Sequence, residues 1–218
     1  MIAVIVPIYN TEKYLRETID SVICQTLSFA EHIRLILLDD ASTDGSFAIC
    51  EQYQKQYPKQ ILVKHYDTNQ GVSALRNEGV RIAGEMGDEL ITFLDSDDKL
   101  ADDAMEKAKM YFESHEDVSV AAIAVKYFGT RDGEQRLNWR FQEMDVVDIK
   151  KQYTFPHYYV GGVFLRKRVL NELHFDETMN FWEDALAINQ VIVSEGKYGL
   201  IQDTFYFYRK REDEYDRA

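Results

Sequence analysis

The chain has 218 residues, of which 45% are hydrophobic and 29% charged, enough apolar content to bury a core within one α/β domain and too much for wholesale disorder. Lys plus Arg total 25 against 38 Asp plus Glu, a formal net charge of -13 that argues against a nucleic-acid backbone as partner; a phosphate ligand would have to be held locally by helix N-termini, placed cations or a divalent ion. No apolar run approaches the ~20 residues of a transmembrane helix, and Cys24 and Cys50 fit no metal spacing, so both read as small buried apolar residues in a reducing, cytoplasmic compartment.

"MIAVIVPIYN" lacks a basic leader and is interrupted by Pro7, Tyr9 and Asn10, so it reads as a first strand (2–8) and not as a signal peptide. A helix over 12–26 follows, with Leu15, Ile19, Val22 and Ile23 on one face. "IRLILLDD" (33–40) is a second strand, and "STDGS" (42–46) signals the start of a second helix. "ILVKHY" (61–66) leads through "DTNQG" into a helix over 72–85, and "LITFLD" (90–95) through "SDDKL" into one over 101–114. Four successive βα units predict a mostly parallel sheet flanked by helices, in the Rossmann-like manner.

The rhythm changes after residue 115. "VSVAAIAVKYFG" (118–129) reads as a strand, 130–136 as a turn or hairpin tip, and the region to about 160 as irregular, with scattered aromatics. "GGVFLRKRVL" (161–170) is a strand entering a short helix, "FWEDALAINQVIVSEG" (181–196) a helix stopped by Gly196, and "TFYFYRK" (204–210) a last strand. With no repeat and no linker composition, residues 1–218 are expected to form one domain, 1–100 its nucleotide-binding half and 101–218 a mixed acceptor and catalytic half.

Ligands of open α/β sheets sit beyond the carboxyl ends of the strands, so the residues there are the informative ones. After the first strand, Pro7 stiffens the exit, Tyr9 offers a stacking face, and Asn10 offers a donor and an acceptor or simply caps the helix. After the second, Asp39 and Asp40 point to opposite faces; one can accept an imide N–H from a base, and capping of the next helix is the competing role. After the third, Gly71 permits close backbone approach, and Arg76 can meet a phosphate or base, or pair on the surface.

After the fourth strand, Asp95, Asp97 and Asp98 crowd like charges against an apolar run, which a shared hard divalent ion would relieve. The alternative is a solvated acidic turn. Glu183 and Asp184 open a helix beside Phe181 and Trp182, either complementing the helix dipole or supplying a general base.

In this order, "VPIYN", "LLDDASTDGS", "NQGVSALRNEG", "FLDSDD" and "WEDALA" resemble the family-2 inverting glycosyltransferases of GT-A fold, over residues 3 to about 209. The resemblance implies a nucleotide-sugar donor, most simply a UDP-sugar, and a glycan or lipid-linked acceptor, with peripheral membrane association at the inner face left open. It implies that Pro7, Tyr9 and Asp40 cradle the base, with Asn10 and Asp39 close by, and that Arg76 approaches the nucleotide. Asp95, with Ser96 beside it, would lie near the ribose or the ion, Asp97 would ligate Mn2+ or Mg2+, and Asp184 would be the catalytic base. Relatives often carry a His after a "YR" near the domain's end; "FYRKRED" offers Arg209, Lys210 and Arg211 instead. Tyr158, Tyr159, Phe181 and Trp182 are candidates to stack on acceptor sugars, with burial in the core as the alternative.

Two other classes compete. A Mg-dependent phosphotransfer domain predicts acids after the first strand, where "VPIYN" has none. A non-catalytic nucleotide-sugar-binding module would need neither Asp97 nor Asp184.

Overall fold

Two apolar layers, one on each face of a single sheet, follow directly from the alternation of side chains along the strands. The computed structural model describes residues 1–130, 135–136, 145–151, 160–179 and 181–211. Its elements are β1 (Ile2–Ile8), α1 (Glu12–Ile23), α2 (Phe29–His32), β2 (Ile33–Asp39), α3 (Ser46–Gln56), β3 (Ile61–His65), α4 (Val72–Glu85), β4 (Leu90–Phe93) and β5 (Lys99–Leu100). The second half comprises α5 (Ala104–Ser114), β6 (Val120–Gly129), β7 (Gln135–Arg136), β8 (Val146–Asp148), β9 (Val163–Arg166), α6 (Glu183–Glu195) and β10 (Lys197–Lys210).

The strands run in the order β3-β2-β1-β4-β9-β6-β10-β5. The β3-β2-β1-β4 portion is parallel throughout, as four βα units require. β9 is antiparallel to both β4 and β6, while β10 runs parallel to β6 and antiparallel to β5 and β8. The expected mixed second half is thus present, grafted onto the β4 edge of the parallel half.

Val4, Val6 and Ile8 of β1 pack with Leu15, Ile19 and Val22 of α1, Ile49 of α3 and Met105 of α5. Ala3 and Ile5 pack on the other face with Leu75 and Ala83 of α4 and Ile188 and Val191 of α6. The α4 contact is close: a Cβ on Gly79 would lie 2.3 Å from Ile5 Cγ2, so only glycine permits this helix to approach the sheet. That approach fixes Arg76, one turn earlier.

Three expectations need correction. The turn after β4 does not run straight into a helix, because Lys99 and Leu100 first pair with Phe207 and Tyr206 of β10. The last strand begins at Lys197, not at 204; its register shifts between Ile201 and Phe205, where Asp203 adopts φ 59, and this irregularity hid the strand's first half from an alternation test. Cys50 is buried as expected, but Cys24 forms the exposed C-cap of α1. Tyr158 and Tyr159, and most of the irregular region to 160, lie outside the described residues.

Candidate functional site

A cleft of about 500 Å³ opens at the carboxyl ends of β1, β2 and β4. Pro7, Tyr9, Asp40, Arg76, Asp95, Ser96 and Asp97 all line it, which brings together seven of the residues singled out in the sequence. Tyr9 remains half exposed, with its ring available to the cleft.

Asp40 is buried, and its carboxylate is fixed by two backbone donors: Gln70 N at 2.6 Å from Oδ1 and Gly71 N at 2.9 Å from Oδ2. The loop before α4 can present both amides because Gly71 adopts φ 89, a left-handed conformation natural to glycine. Asp40 is therefore oriented, with lone pairs left over for a ligand donor.

Asp39 and Asn10 do not line the cleft. Asp39 points the other way, as its neighbour's alternation demands, and its Oδ2 lies 2.7 Å from His65 Nδ1. Asn10, at φ 51, accepts from Thr43 N at its side-chain Oδ1 at 2.8 Å, while its backbone N–H donates to Ser42 Oγ at 3.0 Å, so it clamps the β1 and β2 exits together.

Arg76 is the hub of the opposite wall. Only 5% exposed, it donates from Nη1 to Glu183 Oε1 at 2.8 Å and from Nη2 to Asp95 Oδ1 at 3.3 Å, and its guanidinium packs over the Phe175 ring. Burial works against its charge, but the carboxylates of Asp95, Asp184 and Glu183 more than offset that, and its pKa is raised. Among the described residues Arg76 Nε has no partner. Arg76 thus ties the end of β4 to the first turn of α6.

Asp184 follows Glu183 on that turn. Its Oδ1 accepts from Ala185 N at 2.7 Å and its Oδ2 from Val160 N at 3.3 Å. Burial raises its pKa, with the amide bonds and Arg76 pulling the other way.

The three acids after β4 have separate surroundings. Asp97 pairs with Arg211 Nη2, yet burial, with help from Asp95, still raises its pKa. Asp98 is buried away from the cleft: Tyr206 Oη donates to its Oδ2 at 2.7 Å and Arg209 N to its Oδ1 at 2.7 Å. Tyr206 Oη also accepts from Asp95 N at 3.2 Å, so Asp98 and Tyr206 together pin the acidic turn to β10. Pattern reading left Asp98 without a role and missed Tyr206, which nothing in the alternating "FYFYR" distinguishes from its neighbours.

Asp95 and Asp97 are hard oxygen donors at the cleft wall, and their crowding makes a divalent cation a chemically fitting guest. Among the described residues no three His, Cys, Asp or Glu side chains gather to hold an ion by themselves, so phosphate oxygens and water would complete the shell. Of the three cations offered in place of a His, Arg211 alone lines the cleft; Arg209 reaches Glu17 and the Asp97 carbonyl, and Lys210 lies over the Tyr127 and Tyr208 rings.

Residues 3–174 match the description "Glycosyl transferase family 2". The chain belongs to glycosyl transferase family 2. It is 41% identical over 216 residues to the minor teichoic acid biosynthesis protein GgaA of Bacillus subtilis (strain 168), across 98% of this chain and 48% of GgaA. It is 27% identical over 215 residues to the poly(ribitol-phosphate) beta-N-acetylglucosaminyltransferase TarS of Staphylococcus aureus, across 98% of this chain and 36% of TarS. This family-2 chain therefore spans about half the length of GgaA, and less of TarS.

The crystal structure of S. aureus TarS 1-349 in complex with UDP-GlcNAc superposes with a TM-score of 0.80 at 24% identity, over 97% of this chain and 59% of that one. The mannosyltransferase PcManGT from Pyrobaculum calidifontis, in complex with GDP-Man and Mn2+, gives 0.72 at 18%, over 97% and 57%. At these identities the likeness establishes fold, and the fold is the GT-A arrangement expected from the strand-end motifs.

Proposed function

We propose that residues 1–218 act as one catalytic domain that transfers a sugar, with inversion, from a UDP-sugar to a hydroxyl of a glycan or lipid-linked acceptor of the teichoic type. The observation that carries this reading is the convergence of Tyr9, Asp40, Arg76, Asp95 and Asp97 on one cleft, with the first turn of α6 tied to it through Arg76 and Glu183. The names of GgaA and TarS, and the UDP-GlcNAc bound by TarS, support the donor and acceptor classes.

Tyr9 offers its ring to the base, and the oriented Asp40 carboxylate accepts an imide N–H from it. Asp97, with Asp95 and Ser96 beside it toward the ribose, would hold Mn2+ or Mg2+, which when bound supplies positive charge for the departing diphosphate. Arg211 offers a further cation at the same wall. The buried Arg76 pairs with both Asp95 and Glu183, so the spacing between the donor site and Asp184 is held by one guanidinium.

Asp184 then takes the proton of the acceptor hydroxyl while that oxygen attacks the anomeric carbon from the face opposite the leaving group. The carbon–oxygen bond to the diphosphate breaks in the same displacement, the electron pair leaves with the nucleoside diphosphate, and the anomeric configuration inverts. Burial lifts Asp184 above an ordinary carboxylate, which makes it a stronger base than a solvated Asp. A lipid-linked acceptor would bring the domain to the inner face of a membrane; among the described residues no helix is long and apolar enough to cross one.

Calorimetry of UDP binding with Mn2+, against UDP with a chelator, tests the donor half. The reading expects binding at least about tenfold tighter with the ion, about 1.4 kcal/mol. Equal affinities would remove the metal bridge.

A further inference from the structure

The acidic turn after β4 is held through its backbone at four successive residues. Tyr206 Oη accepts from Asp95 N at 3.2 Å, and Arg209 Nε donates to the Asp97 carbonyl at 2.6 Å. The one hydroxyl proton of Thr18, on α1, is shared by the Ser96 carbonyl at 3.0 Å and the Asp98 carbonyl at 2.8 Å. Of these anchors Tyr206 differs in kind, because it also touches the segment that holds Asp184.

That segment is Val160–Gly162. Val160 N donates to Asp184 Oδ2 at 3.3 Å, and the next residue, Gly161, bridges to Phe93 at the end of β4. Gly161 packs directly on the phenol: a Cβ there would stand 2.6 Å from Tyr206 Cζ and 2.9 Å from its Oη. A Cβ on Gly162 would stand 3.0 Å from Tyr206 Cβ, and the Gly162 carbonyl accepts from Ile123 N at 2.9 Å. The glycine pair thus leaves no gap between this segment and the ring.

Volume alone does not account for a tyrosine here. The side chain is 1% exposed within an apolar cluster, where a phenylalanine would fill the space without the cost of desolvating a hydroxyl. The hydroxyl is instead used twice, as donor to Asp98 Oδ2 at 2.7 Å and as acceptor from Asp95 N.

We propose that Tyr206 is a positioning residue for sugar transfer: its hydroxyl sets the backbone of the Asp95–Asp97 turn, its ring sets the Val160–Gly162 segment that orients Asp184, and one buried side chain thereby keeps donor site and base in register. This inference rests on the reading of Asp97 as ion ligand and Asp184 as base. Register matters because a misplacement of about 1 Å between reacting groups can cost about 10²-fold in rate.

Two substitutions approach Tyr206 from its two sides. Tyr206→Phe removes only Oη, and in calorimetry the gain in UDP affinity from Mn2+ should shrink roughly fivefold, the scale of one hydrogen bond, with the affinity in chelator unchanged. Gly161→Ala places a Cβ against the ring and should reduce the same gain. It should also raise the pH midpoint at which the Ala185 amide resonance, whose N–H binds Asp184 Oδ1, reports protonation of Asp184. Burial raises that carboxyl while the Val160 amide is among the groups that lower it, so a loosened Val160 contact moves the midpoint up. An undiminished Mn2+ gain in either variant, an equal loss of UDP affinity with and without Mn2+, or an unmoved midpoint in Gly161→Ala overturns the positioning role. Should Tyr206→Phe not fold, Gly161→Ala decides by the same readings. A wild type with no Mn2+ gain would instead remove the metal reading, and this inference with it.

Discussion

The acidic turns after β2 and β4 flank the same strand, β1, yet their carboxylates are satisfied in opposite ways. After β2, Asp40 takes two backbone amides and Asp39 takes His65 and the amide of Ser42. After β4, Asp95 and Asp97 are each held by a guanidinium, and burial raises Asp97 and Asp98 even so. The first turn is a hydrogen-bond scaffold with the Asp40 carboxylate edge turned to the cleft, although among the described residues the buried Asp39 Oδ1 has no partner. The second carries negative charge in excess of what its surroundings neutralise. Acidity at a strand end is thus ambiguous until its donors are known, because amides orient a carboxylate whereas arginines balance one.

The contrast can be broken at its most costly point with Arg76→Ala. That change would leave Glu183 and Asp95 without their cation; the Glu183 pair is buried, and breaking a buried pair by removing one partner costs about 3–5 kcal/mol, while the more exposed Asp95 adds little. Chemical denaturation should show a loss of that size, and Arg76→Lys should recover only part of it, since one ammonium cannot span both carboxylates as the planar fork does. A variant as stable as the wild type would mean that the bridge is not a structural element.

Asp40→Asn should cost less, about 1.5–3 kcal/mol for hydrogen bonds to a charged group, because Asn keeps the shape and one acceptor oxygen. The loss should appear as faster exchange of the Gln70 and Gly71 amides and weaker UDP binding. Unaltered exchange at both amides would show that the carboxylate does not organise that loop.

Much of this was legible in the sequence because both the parallel half and its ligand edge are local patterns. Apolar runs of strand length alternating with helical period give the four βα units, and topology then gathers the residues after each strand at one edge. What stayed hidden was pairing at long range. Arg76 meets Glu183 across 107 positions and Tyr206 meets Asp98 across 108, and no periodicity records such contacts. The alternation rule did separate Asp39 from Asp40, but it could not say which faces the cleft. Asn10 likewise read as a ligand contact or a cap and turned out to be a clamp between two strand exits, a role that depends on Ser42 and Thr43 lying beside it.

The measurement closest to the central claim is sugar transfer by Asp184→Asn with UDP binding measured on the same preparation. Transfer should fall about 10²–10⁴-fold, the range of a lost general base, while UDP affinity stays unchanged. A base works ionised and burial raises this one, so the wild-type rate should fall on acidification at a pH above the ordinary Asp value near roughly 3.9, and the variant's residual rate should lack that limb. Full transfer by Asp184→Asn, or an acid limb that survives in it, would contradict the account.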